Sequence, residues 1–134
     1  KNLPKNIKLL PLQPFDKMSN VLNSADIFLA MLNNDAGNYS VPSKILNYLC
    51  AGKPIILSAP KHNLAAKIVE EARAGCVFDP NNFDDLNKYI NKLHNDNETR
   101  ELLSKNARNY AEKNFQIKHI NAKFENIINK IIDK

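Results

Sequence analysis

Apolar residues in the first half of the chain fall into short runs separated by amphipathic stretches. Four runs have strand length and are rich in Ile, Leu, Val or Phe: Ile7 to Leu12, Asp26 to Leu32, Pro54 to Ser58 and Cys76 to Asp79. Runs this continuous predict strands buried on both faces, as in a parallel sheet covered by helices. Between them, Asp16 to Ser24, Pro42 to Ala51 and Asn63 to Ala74 place apolar residues three and four apart, the spacing of a helix stripe. Gly52 and Gly75 each follow one of these stretches directly, where a left-handed cap favours glycine.

The second half has no strand pattern. Asn82 is placed to cap a helix that carries Phe83, Leu86, Ile90 and Leu93 on one face, and Asp96 or Asn97 to cap the next. A third stripe, Ile120, Phe124, Ile127, Ile128 and Ile131, keeps one face of a last helix apolar for several turns. These helices read as packing elements. The chain is therefore expected to be α/β, a Rossmann-like parallel sheet with flanking helices, followed by C-terminal helices over residues 82–134. It shows no internal repeat.

Composition fits that picture and narrows the partners. With 134 residues and 43% apolar side chains the chain can bury one core, and 25% charged residues is ordinary for a globular domain. The formal charge of +5 does not cluster: nine Lys or Arg face six acids up to residue 83, and ten face eight beyond it. Without a basic stripe interleaved with aromatic residues, nucleic acid is not an expected partner. Cys50 and Cys76 lie far apart inside apolar segments, with no metal-ligand spacing, and read as reduced core residues. No stretch approaches the ~18 apolar residues of a membrane span. A cytoplasmic protein is expected.

In open parallel sheets ligands bind beyond the carboxyl ends of the strands. The loop Asn33 to Val41 leaves such an end and enters a helix at Val41-Pro42-Ser43-Lys44. Proline suits a first helical position, and the N–H groups of Ser43, Lys44 and Ile45 should then point outward, where the helix dipole also favours an anion. The Ser43 hydroxyl and Lys44 ammonium add to a phosphate-binding reading, although every helix has such an end. His62, His94 and His119 have no triad or metal spacing, and Glu70 and Glu71 point in different directions on a helix.

The run from Val41 to Ile56, with Pro42-Ser43-Lys44 and Ala51-Gly52-Lys53-Pro54 its most specific parts, resembles the donor-site segment of GT-B glycosyltransferases. It is most similar to the family 4-like, group 1 branch that builds bacterial capsules, O-antigens and exopolysaccharides. Ser24-Ala25-Asp26, Ala74-Gly75-Cys76-Val77, Asp79-Pro80 and Asn106-Ala107-Arg108-Asn109-Tyr110 fall in that family's order. The resemblance implies that residues 1–134 are one partial nucleotide-sugar-binding domain of a retaining transferase, with a nucleotide diphosphate sugar as donor and a glycan or lipid-linked acceptor. It implies donor contacts from Tyr39, Ser40, Val41, Pro42, Ser43, Lys44 and Asn47, and no cofactor or metal.

Two departures limit what is carried over. Many members have two glutamates eight positions apart, facing donor sugar and ribose; those positions hold Tyr39 and Asn47 here. Asn47 can still hydrogen-bond a ribose, Asp35 is a substitute carboxylate, and no residue is assigned as catalytic. The family's sheet has six strands in the order 3-2-1-4-5-6, and this chain reads as starting just before the third. The first two strands and the N-terminal acceptor-binding domain would then lie outside it, leaving a piece inactive on its own. An open edge on the Asp26 to Leu32 strand is expected either to pair with the Ile7 to Leu12 strand or to drive self-association. A non-enzymatic α/β phosphate-binding or signalling domain is the alternative reading.

Overall fold

Three short parallel strands form the centre of the fold, in the order β1 (Phe28–Met31), β2 (Ile55–Ser58), β3 (Gly75–Phe78). Phe28 is level with Ile55, and Ile55 with Gly75. The computed structural model describes residues 3–40 and 42–132, and of Ala36, Gly37 and Asn38 only the backbone. Helices α1 (Met18–Asn23), α2 (Asn34–Tyr39), α3 (Lys44–Ala51) and α4 (Leu64–Glu71) precede or link the strands, and α5 (Phe83–Asn95), α6 (Asn97–Asn114) and α7 (Ile117–Ile132) follow them. The fold is α/β and Rossmann-like, as expected.

The strand pleat sends alternate residues to opposite faces of the sheet. On one face Ala30, Ile55 and Leu57 meet Ile45 and Leu49 of α3, Ala65, Ala66 and Val69 of α4, and Ala107 and Ala111 of α6. On the other, Ile56 packs with Leu86 and Leu93 of α5. β2 is accordingly buried throughout. β1 is not: Leu29 and Met31 are exposed, because no element among the described residues covers the second face there. Burial on both faces, expected for every strand, holds for β2 and fails for β1.

The largest difference from the sequence-based expectation is at the start. Ile7 to Leu12 forms no strand; its apolar side chains are exposed, and Leu12 is 97% accessible. Pro11 lies inside this run and lacks the N–H a ladder requires, and Pro4 and Pro14 flank it. The run therefore does not cross to pair with β1, whose outer edge stays open among the described residues. The stripe of α7 is also unpacked. Phe124, Ile127, Ile128 and Ile131 are all exposed, Ile120 is half-buried and no residue of the helix is fully buried, so most of the stripe is not packed here.

The glycines divide. Gly52 has φ 63° and donates its N–H to Leu49 O, the expected left-handed cap of α3. Gly75 is different: the left-handed residue after α4 is Arg73, at φ 49°, and Gly75 opens β3. A Cβ there would collide with the Ile55 carbonyl, so Gly75 is needed for the close approach of β2 and β3. Cys50 also departs from expectation. It is exposed, whereas Cys76 is half-buried.

Candidate functional site

The carboxyl ends of the strands and the helix starts that follow them carry the polar residues of interest. β1 hands the chain to Leu32, whose N–H donates to Ser58 O at 2.7 Å. The connection expected to be a loop then forms α2, despite the poor helix formers Asn34, Asp35, Gly37 and Asn38. Ser40 follows, and its carbonyl accepts a 2.8 Å hydrogen bond from Asn63 Nδ2. Asn63 is 4% exposed, and its Oδ1 caps α4 by accepting from the Ala65 N–H at 2.9 Å. One buried carboxamide thus starts α4 and holds the backbone that leads into α3.

Ile45 and Leu49 anchor α3 in the core, which turns Ser43, Lys44 and Asn47 outward. Ile45 N–H donates to Pro42 O at 3.1 Å, so it is engaged in a turn and not directed at solvent as expected. The Ser43 side chain makes no capping hydrogen bond. The outward groups at this end are therefore those of Ser43 and Lys44. With Ser40, Pro42 and the Leu29 to Leu32 edge of β1 they line a cleft of about 310 Å³.

A second cleft, of about 610 Å³, opens at the carboxyl ends of the strands. Met31, Leu32, Asn33, Asn34 and Asp35 form one wall, Pro80, Asn81 and Phe83 another, and Ser58 lies between. Met31 and Leu32 belong to both clefts. A third cavity, of about 430 Å³, lies between α1, α3 and α6 and contains Asn47, Cys50 and Arg108. The predicted donor contacts are thus divided: Ser40, Pro42, Ser43 and Lys44 come together, while Asn47 faces a different cavity. Tyr39 is 94% exposed and lines none of the three, and Val41 lies outside the described residues.

A family model for group 1 glycosyl transferases matches residues 1–110. The chain belongs to this family. An uncharacterized glycosyltransferase of Methanocaldococcus jannaschii is 24% identical over 119 residues, covering 89% of this chain. The chain spans 29% of the length of that relative. No solved structure matches it.

In this group 1 glycosyltransferase chain the matched stretch includes all three clefts and stops short of α7. The late Asn106 to Tyr110 segment is a brace. Asn106 Nδ2 donates to Arg73 O at 3.0 Å and Arg108 Nη1 to Cys50 O at 2.9 Å, so α6 satisfies carbonyls at the ends of α4 and α3. Burial pushes the Cys76 thiol up from its ordinary range, the opposite of an activated nucleophile. Among the described residues no group of three His, Cys, Asp or Glu could hold a metal ion, and no helix is long and apolar enough to cross a membrane.

What the first cleft can do is bind an anion by fixed dipoles and a lysine; what the second can do is hydrogen-bond a polyhydroxylated ligand. Asn63 was visible in the sequence only as the start of a helix. Its bond to Ser40 spans 23 residues and leaves no local signal.

Proposed function

We propose that the chain is the nucleotide-sugar-binding part of the carboxyl-terminal domain of a retaining GT-B glycosyltransferase. Residues 1–134 would form one partial domain, with 82–134 its helical part. The parent enzyme transfers a sugar from a nucleotide diphosphate donor to a glycan or lipid-linked acceptor, in capsule, O-antigen or exopolysaccharide synthesis on the cytoplasmic side of a membrane. Retention and pathway follow from the resemblance of the Val41 to Ile56 segment. The observation that carries the donor site is the outward placement of Ser43 and Lys44 at the amino end of α3, on the connection that leaves the carboxyl end of β1.

In the strand order implied by the resemblance, β1 is the fourth strand, and its open edge is the point where that order reverses. Such switch points are where open α/β sheets bind phosphates. The α3 dipole and the Lys44 ammonium would stabilise the charge that grows on the departing diphosphate, which is electrostatic catalysis with no covalent step by this segment. The acceptor-binding domain would come from elsewhere in the parent, and this chain alone would be inactive.

Lys44→Ala in the full-length enzyme tests the site. A charge-assisted contact is worth about 1.5–3 kcal/mol, so nucleoside diphosphate affinity should fall about tenfold or more. Calorimetric titration showing unchanged affinity would remove Lys44 from the donor site.

A further inference from the structure

We propose that Asn63 is a positioning residue of the donor site: its buried side chain fixes where the chain enters α3, and through that the place of Ser43 and Lys44. The inference rests on the reading of Ser43 and Lys44 as diphosphate contacts. Asn63 lines none of the three clefts and is 4% exposed, so any effect it has on a ligand there is exerted through its neighbours.

Each polar group of Asn63 is engaged. Its backbone N–H donates to Pro60 O at 2.9 Å and its backbone carbonyl accepts from Lys67 N–H at 3.2 Å, which ties it to the turn after β2 and to the first turn of α4. In the side chain, Oδ1 accepts from the Ala65 N–H at 2.9 Å and Nδ2 donates to Ser40 O at 2.8 Å. These partners determine which way round the carboxamide sits, since the reverse would set donor against donor and acceptor against acceptor. Ala65 and Ala66 beside it are fully buried in the core. The side chain is therefore a fixed arm that reaches from the β2–α4 unit to the connection between β1 and α3.

That connection needs such an arm. Upstream of Ser40 lies α2, whose Asn, Asp and Gly residues are poor helix formers and give it little rigidity of its own. Downstream, Ile45 is 1% exposed and its N–H donates to Pro42 O. Between these points Pro42 has a fixed φ. Ser43 and Lys44 thus project from a short span pinned at one end by the core and at the other by Asn63. The start of α4 alone does not require this residue, because Asn, Asp and Ser cap a helix about equally well. Ser has one short hydroxyl and Asp has no N–H, so among these only the carboxamide both caps α4 and donates to Ser40. A site held in its competent arrangement binds with its full affinity; one that visits it part of the time loses affinity by that fraction.

Equilibrium binding of UDP, GDP and ADP to the full-length protein tests the inference. Asn63→Ser retains the α4 cap and drops the bond to Ser40 O, and should weaken whichever of these the wild type binds about fivefold, the factor of one neutral hydrogen bond. The deciding readout is the double variant. If Asn63 acts through Lys44, Asn63→Ser in a Lys44→Ala background should cost little further affinity, whereas a merely structural loss would add in full. Additive losses, or wild-type affinity in Asn63→Ser, overturn the inference. If Asn63→Ser fails to fold, Asn63→Asp takes its place, because it fills the same volume, keeps the cap and at neutral pH has no proton to donate; the same non-additivity is required. Affinity that depends on Lys44 but not on Asn63 removes this inference alone. A wild type that binds none of the nucleotides, or binds them indifferently to Lys44→Ala, removes the donor reading with it.

Discussion

Helices α3 and α7 carry the same kind of apolar stripe and meet opposite fates. In α3, Ile45 and Leu49 are sealed between β1, β2 and α6, and Leu49 is fully buried. In α7 a longer stripe is left largely open: Ile120 alone is half-buried, and Ile127 is 58% exposed. Periodicity records that a helix has one face to bury; it does not record against what. The difference between the two helices is the presence of a partner, since the hydrophobic effect acts on area removed from water and not on apolar content as such.

The largest effect expected from this contrast is on stability. Leu49→Ala leaves a cavity between sheet and helix and should cost about 2–5 kcal/mol, whereas Ile127→Ala should stay within about 0.5 kcal/mol. Urea unfolding of the two variants measures both. Equal losses would show that α7 is packed in solution and would erase the contrast.

Gly75→Ala sharpens it from the side of the sheet. The new methyl has no room against the Ile55 carbonyl, so β2 and β3 must shift apart at the best-buried part of the fold. A cost of about 1–3 kcal/mol is expected from such overpacking. Gly52→Ala, at a left-handed residue under Arg108, should lose about 1 kcal/mol. A Gly75→Ala loss no greater than that of Gly52→Ala would mean that the strands yield more easily than close packing allows.

These residues also show what was legible beforehand. The three real strands, and α3 and α4, stood out because apolar spacing and helix-start residues agreed, although α3 begins at Lys44 with Ser43 as its cap, which leaves Pro42 before the helix and not at its first position. Ile7 to Leu12 had the apolar content of a strand, but Pro11 removes a ladder donor and no neighbour supplies the rest. α2 was hidden by Asn, Asp and Gly, which lean toward turns when nothing tertiary holds them. At the site, the helix start at Ser43 and Lys44 was readable from Pro42. The separation of Asn47 into another cavity was not, because it depends on where α1 and α6 pack.

A smaller effect concerns the open edge of β1. Phe28 and Leu32 direct their N–H groups to β2, so those of Leu29 and Met31, whose side chains are also exposed, face outward. Such an edge is a template for another strand. The 134-residue chain is expected to self-associate weakly at tens of micromolar, and Met31→Lys should shift it toward monomer by putting like charges across the contact. Sedimentation velocity decides: a wild-type monomer throughout that range, or an association indifferent to Met31→Lys, would count against the edge.

The smallest expected effect tests how α6 is joined to the body. Asp96 begins this helix: its Oδ1 accepts from Thr99 N–H at 2.9 Å and its Oδ2 from the Thr99 hydroxyl at 2.6 Å. Those bonds, the side-chain one foremost, hold the carboxyl below its ordinary value. Its stabilising contribution is therefore fully present above the unfolded-state pKa, about 3.9, and is lost as pH falls through the lower folded-state pKa. Asp85, lowered mainly by its hydrogen bond from Asn82, titrates in the same window, so the acid decline should be shared between two helix starts. Asp96→Asn keeps an acceptor for the Thr99 N–H but cannot titrate, and should flatten part of the decline below about pH 4 while leaving the Asp85 part intact. Asp96→Ala removes the cap at every pH and should lower stability even at neutrality. Urea midpoints measured from pH 2 to 7, with the Thr99 amide shift followed in parallel, separate these outcomes. An acid decline in Asp96→Asn as steep as in the wild type would show that the start of α6 does not depend on the charge of this carboxylate.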